Sequence, residues 1–141
     1  MISLIKNIIL TDLGMRFQND RFLRPVILHA TTTNRCNLRC RMCNIWRQEE
    51  KIDLPEAALR NLAASPLSRG IEILDITGGE PFLTDLPKLV AAAGGQRLGT
   101  VLISSNGTLT EKALATAREL LERYRFNLVV DVSLDGLEDV H

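Results

Sequence analysis

Cys36, Cys40 and Cys43 stand at the spacing C-x3-C-x2-C, and the chain holds no other cysteine. Thiolates are soft ligands suited to iron–sulfur clusters, and three of them around a four-iron cube leave one iron without a protein ligand. That open iron could take up a substrate or cofactor. A structural zinc site of the Cys3His kind is the alternative, with His29 or His141 as the fourth ligand. His29 lies seven residues before Cys36 inside an apolar run, so a strand there would have to fold back to bring it to the thiols. His141 is the last residue. An odd number of cysteines confined to one short segment is no disulfide framework and fits a reducing cytoplasm.

Other groups with chemical potential follow later apolar runs. In Gly78-Gly79-Glu80-Pro81 the glycines would let backbone approach a ligand, and the Glu80 carboxylate could accept from an ammonium group. An ordinary strand-to-loop turn would look the same. Ser104-Ser105-Asn106-Gly107, Ser133 and Asp135-Gly136 also read as polar turns, distinguished by their common place at strand ends. Arg35, Arg39, Arg41 and Arg47 crowd the cysteines. They could ease reduction of an anionic cluster, receive an acidic partner, or be a solvated loop. Trp46 could shield a cluster from water or pack beneath the helix that follows it.

The elements that must position these residues are legible as alternating patterns. Residues 26–32, 71–77, 100–105 and 128–134 are apolar, β-branched runs that read as buried strands. Three helical patterns fall between them, as parallel strand pairs require. In the first, Asp53 and Glu56 have capping-box spacing, Pro55 suits a first turn, Leu59 and Leu62 face inward, and Ser65-Pro66 ends the run. The second starts at Thr84 or Asp85, runs through Leu86, Leu89, Val90 and Ala93, and stops at Gly94-Gly95. The third is capped by Thr110, buries Ala113, Leu114, Ala117, Leu120 and Leu121, and closes near Arg125. The fold class is α/β, and in parallel α/β folds ligands gather at the carboxyl ends of the strands. The cysteines and the polar turns all stand there.

Ile5, Ile8, Ile9, Leu13 and Phe17 recur near helical spacing, which predicts an amphipathic helix packed on the domain or on a partner. Residues 1–24 are thus a helix and lead-in, and 25–141 one core domain. Leu137, Glu138 and Asp139 resemble the acidic first turn of a further helix without its body, so the chain reads as ending mid-fold. The 141 residues are 45% hydrophobic and 24% charged, enough for one soluble core. Seventeen basic and seventeen acidic residues cancel, so no global field favours nucleic acid or an acidic membrane surface. The apolar start, Met1 to Leu10, is far shorter than the roughly 20 residues of a transmembrane span. Asp12, Arg16 and Gln18 directly after it do not suit a signal peptide.

Taken in order, C-x3-C-x2-C after the first strand and Gly78-Gly79-Glu80-Pro81 after the second resemble the radical S-adenosylmethionine (radical SAM) superfamily, over residues 26–136. The resemblance implies a partial parallel (β/α) barrel of the TIM-barrel-like type, with about four strands present. It implies a [4Fe-4S] cluster on Cys36, Cys40 and Cys43 whose open iron chelates S-adenosylmethionine. Reductive cleavage then yields a 5′-deoxyadenosyl radical that abstracts a substrate hydrogen. Gly78, Gly79, Glu80 and Pro81 match the motif that receives the cofactor's amino group. Ser104, Ser105, Asn106, Ser133 and Asp135 match positions near its ribose and carboxylate. Met42 stands where many members carry an aromatic residue near the adenine, as a polarizable apolar substitute. The family also implies an external electron donor of flavodoxin or ferredoxin type and a segment or second chain completing the barrel. It assigns no catalytic side chain beyond the cluster. Besides the zinc module, a truncated inactive product is the remaining alternative.

Overall fold

The structure is a computed structural model that describes residues 2–18 and 24–134. Four strands, β1 (Ile27–Thr31), β2 (Ile73–Thr77), β3 (Thr100–Ser105) and β4 (Asn127–Val132), form one parallel sheet in the order β1-β2-β3-β4. The order follows the chain without reversal, as in a barrel rather than a doubly wound sheet. The sheet is open. Helices α2 (Glu56–Ala64), α3 (Leu86–Ala92) and α4 (Thr110–Arg123) make the crossovers.

Alternation along the strands decides what is buried. Leu74, Ile76, Val101 and Ile103 point to one face, where they join Leu59, Phe82, Leu86, Leu89, Val90 and Leu120 in a single core. Strand residues of the opposite pleat stay partly open to water. In the register row His29, Asp75, Leu102, Val129, the His29 Nδ1 sits 2.7 Å from Asp75 Oδ2, and the His29 side chain is 71% exposed. The strands are therefore covered on one face, not both as expected. The departure is largest in β4, where Val129, Val130 and Val132 are exposed. Among the described residues β4 pairs with β3 alone.

Helix boundaries follow the expected punctuation at α3. The Asp85 carboxylate accepts from Lys88 N at 3.3 Å, and Gly94 takes φ 88° beyond the last turn. Two caps differ. Pro55, not Asp53, precedes α2, because the Asp53 carboxylate is taken by Thr33 and Arg35. Thr110 is the first residue of α4 rather than its cap, and its hydroxyl donates to Gly107 O at 3.1 Å. On α4 the inward stripe is Ala113, Thr116, Leu120 and, beyond the helix, Tyr124. Leu114 and Leu121, expected inside, are exposed because this spacing turns them away from the sheet.

The first helix, α1 (Ile2–Arg16), leaves Ile5, Ile8, Ile9 and Leu13 exposed. Polar bonds link it to the rest: Asn7 Nδ2 donates to Glu72 Oε1 at 3.1 Å and Thr11 Oγ1 to Arg24 O at 3.0 Å. Among the described residues no helix is long and apolar enough to cross a membrane. Asp135, His141 and the helical start expected at Leu137, Glu138 and Asp139 lie outside the described residues.

Candidate functional site

The cysteine loop is moored before it begins. Pairing between β1 and β2 continues beyond the strands, with Thr32 N donating to Thr77 O at 2.9 Å, Gly79 N to Thr33 O at 2.8 Å and Glu80 N to Arg35 O at 2.8 Å. Only glycine permits this approach. A Cβ on Gly78, whose φ is 148°, would stand 2.5 Å from Thr33 O. The two glycines therefore admit the chain leading to Cys36. On the other side of that chain, Thr33 Oγ1 donates to Asp53 Oδ1 at 2.6 Å, and Arg35 grips both Asp53 oxygens at 2.9 and 2.7 Å. The Thr33 hydroxyl first, and the Arg35 guanidinium with it, hold the Asp53 carboxyl below its ordinary pKa. Arg35 also donates to Leu83 O at 3.3 Å, so this arginine is a strut of the loop's root.

Glu80 lies underneath and is fully buried. Oε1 accepts from Ser105 Oγ at 3.0 Å and Phe82 N at 3.2 Å, and Oε2 accepts from Asn106 N at 2.8 Å. The carboxylate thus ties the end of β2 to the end of β3. All three donors are neutral, and none of the ion pairs among the described residues includes Glu80. Pro81, beside it, is buried and starts the turn Pro81–Leu83.

Above Glu80 the strand ends enclose a cleft of about 160 Å³. Cys36 and Cys40 line it with Gly78, Gly79, Ser104 and Asn106, and Ser133 reaches it from beyond β4. A wider hollow of about 530 Å³ shares Leu38, Cys40 and Asn106 and extends to Arg39, Thr108 and Leu134. Together they fall in the size range of small-molecule sites. Cys43 and Met42 are exposed and belong to neither lining. Trp46 is half-buried against the loop: its Nε1 donates to Cys40 O at 3.3 Å, and Arg39 and Arg47 lie over its ring at 5.7 and 4.9 Å.

All three thiols are free. Among the described residues no three His, Cys, Asp or Glu side chains converge closely enough to hold a single ion. His29 is engaged by Asp75 on the open face of the sheet. Three thiols without a fourth protein ligand beside them among the described residues are the donor set an open-site cluster takes, whereas a Cys3His zinc site would need the imidazole that Asp75 engages. The residues fit the cofactor too, with thiols, hydroxyls and the Asn106 amide around one cleft; Glu80 is buried beneath the strand ends, bonded to Ser105 and Asn106 of that lining, and does not itself line it. Two members of the arrangement were not singled out from sequence, Asn37 and Thr108. Asn37 Nδ2 donates to Thr108 Oγ1 at 2.7 Å, linking the cysteine loop to the loop after β3. The adjacency of Asn37 to Cys36, and of Thr108 to Asn106-Gly107, was the available signal.

The family model described as the Radical SAM superfamily matches residues 31–141. A GTP 3',8-cyclase of Synechococcus sp. is 34% identical over 140 residues, covering 84% of this chain and 36% of that protein. A GTP 3',8-cyclase of Mycobacterium ulcerans is 37% identical over 133 residues, covering 86% and 35%. The antilisterial bacteriocin subtilosin biosynthesis protein AlbA of Bacillus subtilis is 28% identical over 151 residues, covering all of this chain and 33% of that protein. The chain thus spans about a third of the length of these relatives.

Proposed function

Because the chain belongs to the radical SAM superfamily, we propose that it supplies the strand ends on which a radical SAM enzyme holds its [4Fe-4S] cluster and S-adenosylmethionine. The observation that carries this is one cleft lined by Cys36, Cys40, Gly78, Gly79, Ser104, Asn106 and Ser133. Cys36, Cys40 and Cys43 would hold the cluster. When bound, the cluster and cofactor supply reductive cleavage of a sulfonium to give a radical that removes a substrate hydrogen.

The chain's own residues do the positioning. Gly78 and Gly79 seat the cysteine loop on the end of β2. Glu80, buried beneath the cleft and bonded to Ser105 and Asn106 of its lining, is assigned to the cofactor's ammonium group. Ser104, Asn106, Ser133 and Asp135 are assigned to its ribose and carboxylate, Pro81 to the turn that fixes Glu80, and Met42 to the adenine.

Two relatives whose names describe different activities match most or all of this chain. That pattern supports assigning cofactor handling to residues 25–141, with 1–24 as helix and lead-in, and substrate choice to other parts of a whole enzyme. An electron donor of flavodoxin or ferredoxin type would meet the exposed Arg39, Arg41 and Arg47 around the loop. Three free thiols suit a reducing cytoplasm. Calorimetry of S-adenosylmethionine on the anaerobically reconstituted chain tests the assignment. Binding that requires the cluster supports it, and equal affinity in the metal-free chain contradicts it.

A further inference from the structure

Three side chains close a ring of hydrogen bonds beside Cys36. Asn106 Nδ2 donates to Asn37 Oδ1 at 2.9 Å, Asn37 Nδ2 donates to Thr108 Oγ1 at 2.7 Å, and Thr108 Oγ1 donates to Asn106 Oδ1 at 2.6 Å. Each member donates once and accepts once around the ring, an arrangement in which the bonds polarise one another. Asn106 has two amide hydrogens, and its Nδ2 also lies 3.8 Å from Cys36 Sγ. Leu38 N donates to the same sulfur at 3.4 Å. The ring is anchored below, since Asn106 N donates to buried Glu80 and Thr108 N to Asn106 Oδ1 at 3.0 Å.

The other two thiols are treated differently. Among the described hydrogen bonds none ends on the sulfur of Cys40 or Cys43, and Cys43 is exposed. The loop between them is held by its backbone turn, Cys43 N to Cys40 O at 3.2 Å, and by Trp46.

We propose that Asn37, Asn106 and Thr108 are positioning residues that fix Cys36 as the preformed first ligand of the metal-free chain, leaving Cys43 to be drawn in during loading. This rests on the cluster assignment, but its test needs no cluster. The metal-free chain is alkylated anaerobically with iodoacetamide, and modification of each cysteine is followed by mass spectrometry. In the wild type Cys36 reacts slowest and Cys43 fastest. Thr108→Val keeps the side-chain shape and removes the ring hydroxyl, whereas Thr108→Ser keeps the hydroxyl. Thr108→Val breaks both ring bonds that the hydroxyl makes, and Cys36 modification should rise at least about 5-fold, the equivalent of one net hydrogen bond. Cys43 should be unchanged, Thr108→Ser should match the wild type, and Leu38 amide exchange should quicken in step. Asn37→Ala makes the same comparison if Thr108→Val does not fold. Equal Cys36 rates in wild type, Thr108→Val and Asn37→Ala would overturn the proposal. A uniform rise at all three cysteines, or a Thr108→Ser protein behaving like Thr108→Val, would overturn it too. Cluster content of the reconstituted wild type reports on the cluster assignment separately.

Discussion

Gly79 packs so closely on Arg35 that a Cβ added at position 79 would overlap the Arg35 carbonyl oxygen, and it would stand 3.1 Å from the Cβ of Cys36. The obstacle is backbone, which cannot swing aside as a side chain tip can. We expect Gly79→Ala to cost about 2–3 kcal/mol of stability through overpacking. Urea denaturation of the metal-free chain measures it. A change below about 0.5 kcal/mol, the range of an ordinary surface substitution, would show that the cysteine loop yields freely.

Glu80→Gln should act twice. The amide offers one acceptor oxygen where the carboxylate offers two, so either Phe82 N or Asn106 N loses its acceptor. An unsatisfied buried donor costs about 1–3 kcal/mol, which a metal-free melt would record. The lost charge should also weaken S-adenosylmethionine binding to the reconstituted chain while leaving its iron content unchanged. Equal cofactor affinity by calorimetry on matched samples would make Glu80 a strut between β2 and β3 and nothing more.

How far these relationships could be read from sequence depends on whether they are local. The strands were legible because β-branched runs and parallel crossovers constrain each other, and the end of α3 was legible because Gly94 sits where a positive φ is needed. The exposure of Leu114 and Leu121 was not, since it depends on how α4 rolls against the sheet. Asp53 has the spacing of a helix cap, but Thr33 and Arg35, far away in sequence, claim its carboxylate. In the site, the cysteine spacing and the glycine pair announced themselves. The burial of Glu80 and the bond between Asn37 and Thr108 depend on residues 25 and 71 positions apart, a separation that motif spacing does not encode.

Asp53 gives the fold an acid dependence. Its pKa is lowered in the folded chain, so the stability it contributes is fully present above the unfolded value near pH 4 and is lost as pH falls through the lowered one. The side chain is half exposed, and solvent screening keeps the effect modest. Asp53→Asn should therefore be less stable than wild type at pH 7, with the gap narrowing as acid protonates the wild-type carboxyl. Urea melts at pH 7, 4 and 3 check this, and a gap that stays constant or widens would contradict it.

The most direct test of the cluster assignment is the metal and sulfide content of the chain after anaerobic reconstitution with iron and sulfide. We expect about four irons and four sulfides per chain, as a [4Fe-4S] cluster contains, with no zinc. Alanine at Cys36, Cys40 or Cys43 should each abolish the cluster's visible absorbance. One zinc per chain without inorganic sulfide, or a cluster retained after loss of any one of the three thiols, would contradict the assignment.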